Sequence, residues 1–245
     1  MRLASQDRIA EETGGWHGDD SPTLAGSAYE MLRRGILSCH YMPGTRLRLD
    51  ALRRELGFGF SPIREALSRL TGEGLVEQEG QRGFRVAPVS MDDLEDITLT
   101  RSEVELMALR QSIARGGDAW ETGVAAAAHH LALISADGAR PSSAESNEWA
   151  RRHAAFHESL VAACGSPRLL AIRKELYELS ERYRRLLYAH GIGPRDVAEE
   201  HKAIASAVIH RDADTACELM RAHMRATVDT LVKLLAAKNP LQIFS

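Results

Sequence analysis

Four histidines are the residues whose type and spacing point most directly to chemistry. His153 and His157 are four positions apart, so on a helix their imidazoles share one face. His201 and His223 fall in two later stretches of helical periodicity. A neutral imidazole offers one nitrogen lone pair, and several gathered together make a site for Zn²⁺, Ni²⁺, Cu²⁺ or a similar ion. The chain holds ten histidines, so an i, i+4 pair also arises by chance. Two other readings stay open on the residues alone. One makes the histidines polar members of a helical half that only dimerises. The other makes them ligands of a hydrolytic centre with a bound water, although no carboxylate is clearly placed as its general base. His129, His130, His190 and His210 show no partner pattern and read as surface or helix-end residues.

A second group of residues suits a polyanion. Arg64 lies on a helix opposite the apolar pair Ile63 and Leu67, and its guanidinium fork fits guanine or a phosphate. Ser61-Pro62 reads as the start of that helix, with serine capping and proline at the first helical position. Arg53 and Arg54 sit on the preceding short helix as candidate phosphate contacts. Gln81, Arg82 and Gly83 form a turn between two short extended runs, with Arg82 at its tip.

These side chains need elements to hold them. Leu24, Ala28, Met31, Leu32 and Ile36 give a first helix from Thr23 to about Cys39, ended before the turn at Pro43-Gly44. Leu49 to Leu56 forms a second helix, closed near Gly57 and Gly59. The third runs from Ser61 to Gly72-Gly74. Leu75 to Glu79 and Phe84 to Val86 then read as a β-hairpin around Gly80 to Gly83. Beyond Val89 the strand signals stop. Ser90 with Asp92 and Asp93 resembles a helix start, and helices follow to about Arg115 and over 118–136, 145–164, 167–190, 195–210 and 212–237. The spacing predicts a mainly α chain: a winged helix-turn-helix of three helices plus a β-hairpin, then an all-α antiparallel bundle. The domains are a flexible arm at 1–22, the winged head at 23–89, the helical body at 90–237 and a tail at 238–245.

The bulk numbers agree. The chain has 245 residues, 44% of them hydrophobic and 27% charged, with aromatics at only 5%, which suits helices packed by Ala and Leu rather than a β-sandwich. Residues 23–90 carry ten arginines, no lysine and seven acids, while residues 91–245 carry nineteen basic and twenty-two acidic residues. A small basic head on a larger acidic body fits nucleic-acid binding by the head. No apolar run suits a membrane span. The polar N-terminus and three scattered cysteines, Cys39, Cys164 and Cys217, read as a cytoplasmic protein with reduced thiols.

The stretch from Pro43 to Ser90 resembles the DNA-binding domain of the GntR family of bacterial regulators. The matching pieces are Pro43-Gly44 with Leu47, then Leu52 and Leu56. They continue with Ser61-Pro62-Ile63-Arg64-Glu65-Ala66-Leu67, Leu70, Gly74-Leu75-Val76, and Gly83 with Val86. The resemblance implies that the helix beginning near Ser61 enters the major groove of operator DNA. Its contacts would come from Arg53, Ser61, Arg64, Gln81, Arg82 and Gly83. Members usually carry Ser-Arg or Thr-Arg where this chain has Gly59-Phe60. Phe60 therefore either packs on a thymine methyl or staples the helix.

Residues 91–236 resemble the FadR-type (FCD) ligand-binding domain of one GntR subfamily. The pieces are Arg101 with Glu105, Phe156-His157, Cys164-Gly165-Ser166-Pro167, Glu200-His201 with Ile204, Arg211-Asp212, and Arg221-Ala222-His223. This likeness implies that His153, His157, His201 and His223 converge on a divalent transition metal, Zn or Ni foremost. His153 stands where a carboxylate is typical, and four imidazoles suit borderline metals rather than Mg²⁺ or Ca²⁺. It further implies a homodimer on two-fold operator DNA, a small-molecule effector such as a carboxylate, and repression rather than catalysis. Arg101 would grip that effector, or else form an i, i+4 ion pair with Glu105 worth about 0.3–0.5 kcal/mol.

Overall fold

The computed structural model describes residues 23–80, 83–135, 143–189 and 197–237. The arm at 1–22, the tail at 238–245, His190 and the turn residues Gln81 and Arg82 lie outside them.

Three helices and a hairpin build the N-terminal unit: α1 (Leu24–Leu37), α2 (Leu49–Leu56), α3 (Phe60–Gly72), β1 (Val76–Glu79) and β2 (Gly83–Val86). Thr23 caps α1 by accepting a hydrogen bond from the amide of Gly26. Ala28, Leu32 and Ile36 of α1 meet Leu52 of α2 and Ile63, Ala66, Leu67 and Leu70 of α3 in one buried cluster. Phe84 and Val86 close it from the hairpin. Fully burying a side chain of this size is worth about 1.5–3 kcal/mol, so the cluster holds α3 firmly while its opposite face stays exposed.

The hairpin is antiparallel, with Val76 opposite Val86 and Glu79 opposite Gly83. Arg46, in the α1–α2 connection, bridges to Arg85 on the other edge of β2 and widens this small sheet.

The second unit is all helical: α4 (Met91–Arg115), α5 (Asp118–Ser135), α6 (Ser143–Val161), α7 (Pro167–Ala189), α8 (Ala198–Ile209) and α9 (Ala213–Ala237). The Ser90 hydroxyl accepts from the Asp93 amide and starts α4, as its sequence suggests. Helix α4 packs on α7 and α9, while α5 packs on α6 and α8. Their common core includes Leu109, Leu131, Phe156, Leu160, Ile204 and Met220.

A third cluster joins the two units. Val89, Leu94, Ile97, Tyr183, Leu186 and Val228 are buried together, with Cys39, Met42 and Leu179 against them. The Tyr183 hydroxyl donates to Asp93, and Arg182 donates to the carbonyl of Ala87. Helix α7 therefore touches the head and the body at once.

Candidate metal centre and nucleic-acid interface

Three helices bring the four histidines together. His153 and His157 project from α6, His201 from the first turn of α8 and His223 from the middle of α9. All four are buried, and one nitrogen from each lies within 4.8 Å of the others. Phe156 of the body core sets the ring of His201 edge-on at 5.0 Å, so packing of apolar neighbours fixes the cluster.

A second ring of residues orients the imidazoles. The Tyr177 hydroxyl of α7 lies 3.0 Å from Nδ1 of His153. The Glu200 carboxylate lies 2.8 Å from Nδ1 of His223. A carboxylate on one ring nitrogen leaves the other nitrogen to bind a metal and raises its basicity. Trp149 stacks on His153 at 4.5 Å between ring centroids.

The nitrogen spacing is compatible with a divalent ion. Nε2 of His153 and Nε2 of His157 are 3.1 Å apart. Two nitrogens sharing one zinc at about 2.0–2.1 Å would lie roughly 2.9–3.4 Å apart. An N–H···N hydrogen bond gives the same separation, and on either reading Nδ1 of His157 is buried with no hydrogen-bond partner. An unsatisfied buried polar atom costs about 1–3 kcal/mol. Protonation offers no remedy. Burial first, then the nearby charge of Arg184, holds His153 well below the ordinary histidine range. Burial first, then the other histidines with Arg101 and Arg173, does the same to His157. Neutral imidazoles are the form that binds metal.

Cations border the cluster on one side. Arg173 of α7 makes a bidentate pair with the fully buried Glu105 of α4, at 3.0 Å in its shortest contacts. Arg101 is less completely engaged. Its Nη1 donates to Ser180 at 2.7 Å, its guanidinium lies 4.8 Å from the Tyr177 ring centroid, and it stands 3.8 Å from Glu105. Arg101 Nε is buried without a hydrogen-bond partner. The i, i+4 contact with Glu105 is thus the weaker of the glutamate's two partnerships, which leaves Arg101 with donor capacity beside the histidines.

On the head, the exposed face of α3 carries Phe60, Ser61, Arg64, Glu65 and Ser68. One sequence expectation is corrected. Ser61 does not cap α3; Gly59 is the N-cap, with no side-chain cap bond, and the helix is already under way at Phe60. Gly57 explains the early start. Its φ of 76° is a left-handed conformation that suits glycine, so α2 ends abruptly and α3 begins three residues later. Arg53 is exposed, and its guanidinium lies over the Phe60 ring at 4.9 Å. Gly83 has a plain structural role, because a Cβ there would sit 3.0 Å from the carbonyl oxygen of Glu79 across the hairpin. Gln81 and Arg82 fall outside the described residues. Arg46 and Arg85 both pair with Glu79, which offsets one of their two positive charges at the base of the wing.

Sequence reading missed Arg173, Tyr177, Ser180 and Trp149, and gave Glu200 no role of its own. A signal existed for α7: residues 173, 177, 180 and 184 recur at helical spacing, a polar stripe where an apolar one is the norm. His129, His130 and His210 are exposed, as read from their lack of partners.

The fold and the exposed recognition helix define a two-domain, winged helix-turn-helix DNA-binding regulator. Comparison with known proteins agrees. The family model "Bacterial regulatory proteins, gntR family" matches residues 24–86, and the FCD domain model matches residues 96–226. The chain is 37% identical over 212 residues to the HTH-type transcriptional repressor GlaR of Escherichia coli (strain K12), covering 85% of this chain and 96% of that protein. It is 35% identical over 209 residues to the HTH-type transcriptional regulator BphR of Paraburkholderia xenovorans (strain LB400), covering 85% of each. The solved structure of E. coli McbR/YncC shares the fold with a TM-score of 0.71 at 20% identity, over 86% of this chain and 98% of that one. The chain belongs to the gntR family and carries an FCD domain; it is a transcriptional regulator rather than an enzyme. Among the described residues no helix is long and apolar enough to cross a membrane.

Proposed function

We propose that this regulator is a repressor whose helical domain binds a divalent transition ion through His153, His157, His201 and His223, and a small carboxylate effector beside it. The observation that carries the reading is the convergence of four buried histidines next to Arg101. The ion, Zn or Ni by its all-nitrogen donor set, would supply a Lewis-acidic anchor for a carboxylate oxygen. Arg101 would pair with the effector's other end through its spare donors. The domains divide after Val89, with the head at 23–89 and the effector domain at 90–237. Two chains form a homodimer so that two heads meet a two-fold operator. The name of GlaR, a repressor, supports the sign of regulation.

Helix α7 is the element that couples the two domains. One side carries Arg173, Tyr177 and Ser180 at the histidine cluster, and another carries Glu178, Leu179 and Arg182 at the head. An effector shifts the equilibrium only by its differential affinity for the two arrangements of that helix. In the head, Arg53, Ser61 and Arg64, with Gln81, Arg82 and Gly83 of the wing, meet operator DNA.

The test is operator affinity of the full chain, measured chelator-stripped and metal-reloaded against a panel of small carboxylates. At least one acid is expected to change the affinity about tenfold or more in the loaded protein only, a coupling within the usual range. Saturable metal uptake with no acid changing DNA binding would leave the centre structural. No metal uptake would return the histidines to a polar core.

A further inference from the structure

Phe60 has no place in the core and no role yet in the head. Phe58, two residues earlier, is partly buried against the cluster around Leu52 and does the stapling. Phe60 is absent from that cluster and stays 44% exposed as the first residue of α3. Single exposed apolar residues are ordinary on a protein surface, so exposure alone decides nothing. Position and support do. Phe60 and Arg64 are one helical turn apart on the exposed face of the recognition helix. Arg53 lies over the ring at 4.9 Å, an attraction that restrains the ring before any DNA arrives.

We propose that Phe60 is a specificity-determining residue that reads the C5-methyl group of a thymine in the major groove. A phenyl ring has no hydrogen-bond donor or acceptor. The thymine methyl is the one apolar feature that base edges offer in that groove. A G·C pair at the same place would bury its N7, O6 and N4 groups against carbon without partners. Four residues of helix rise about 6 Å, against about 3.4 Å per base step. The thymine therefore lies roughly two base pairs from the base or phosphate met by Arg64. Arg53 would serve twice, placing the ring and meeting the adjacent phosphate.

This inference rests on DNA binding by the head and is independent of the metal reading. The test uses the full chain and a duplex enriched from randomised DNA by the protein itself. Each thymine is replaced in turn by deoxyuridine, which removes only the methyl group, and affinity is measured at fixed salt. The expected result is one symmetry-related pair of thymines at which deoxyuridine weakens the wild type about fourfold per half-site, the worth of one buried methyl. Phe60→Ala should weaken binding to the thymine duplex and lose all sensitivity at those positions. Phe60→Leu should keep part of it. The exposed position of Phe60 lets both variants fold, which circular dichroism verifies. Three results overturn the proposal: no methyl-dependent position, the same deoxyuridine loss in Phe60→Ala, or no enriched duplex at all. The second would assign the methyl to another residue and leave Phe60 as a support for Arg53.

Discussion

Arg33 of α1 and Glu178 of α7 form an ion pair between the DNA-binding head and the helical body, with both side chains largely shielded from water. Arg33 also reaches Glu73 at 3.3 Å, so one guanidinium ties the end of α3 to α7. Glu178 neighbours Tyr177, whose hydroxyl meets His153. Two consecutive residues of α7 thus contact the histidine cluster and the DNA-binding head.

Glu178→Gln should weaken this joint without touching the histidines. The expected outcome is unchanged metal content, together with a smaller effector-induced change in operator affinity. Operator titrations of both proteins, with and without effector, measure it. An unchanged response would remove the pair from the coupling route.

Arg64→Ala should weaken operator binding by about 1–3 kcal/mol if the arginine reads a base. Arg53→Ala should reduce the salt dependence of binding by about one phosphate contact. Fluorescence anisotropy across a salt series separates the two. An unchanged affinity in Arg64→Ala would place that residue outside the interface.

Acid should destabilise the metal-free protein. His153 and His157 are held well below the ordinary histidine range, mainly by burial, whereas in the unfolded chain they titrate near about 6.5. The unfolded state then binds more protons below that pH, so stability is complete above about 6.5 and falls as the pH drops toward the folded-state values. Two such groups give a slope of at most about 2.7 kcal/mol per pH unit. Denaturant titrations of chelator-treated protein between pH 7.5 and 5.5 should show it, and a flat profile would contradict neutral buried histidines.

Glu105→Ala should cost about 3–5 kcal/mol, because it strands the buried guanidinium of Arg173 without its bidentate partner. Thermal unfolding measures the loss. A melting temperature within a degree of wild type would show that water or another group solvates Arg173.

Much of this architecture was legible beforehand. Leu49–Leu56 is bounded by Gly57, and the body helices follow breaks at Gly or Pro, except that Arg211-Asp212 separates α8 from α9. The start of α3 was misread. A Ser-Pro pair is a strong local signal for a helix start, but the left-handed Gly57 advances the helix to Phe60. The ion pair of Arg173 with Glu105 spans 68 residues, and the contact of Glu200 with His223 joins two helices. Such pairings are set by tertiary packing and leave only the faint trace of a polar stripe on α7. Among the histidines, only the His153–His157 spacing was visible locally; the approach of α8 and α9 was implied by family likeness alone.

Calorimetric titration of Zn²⁺ into chelator-stripped full-length protein tests the proposed centre most directly. The expected result is one saturable site in the wild type that disappears in His157→Ala and in His223→Ala while both variants stay folded and bind operator. Binding of undiminished affinity in those variants, or none in the wild type, would contradict it.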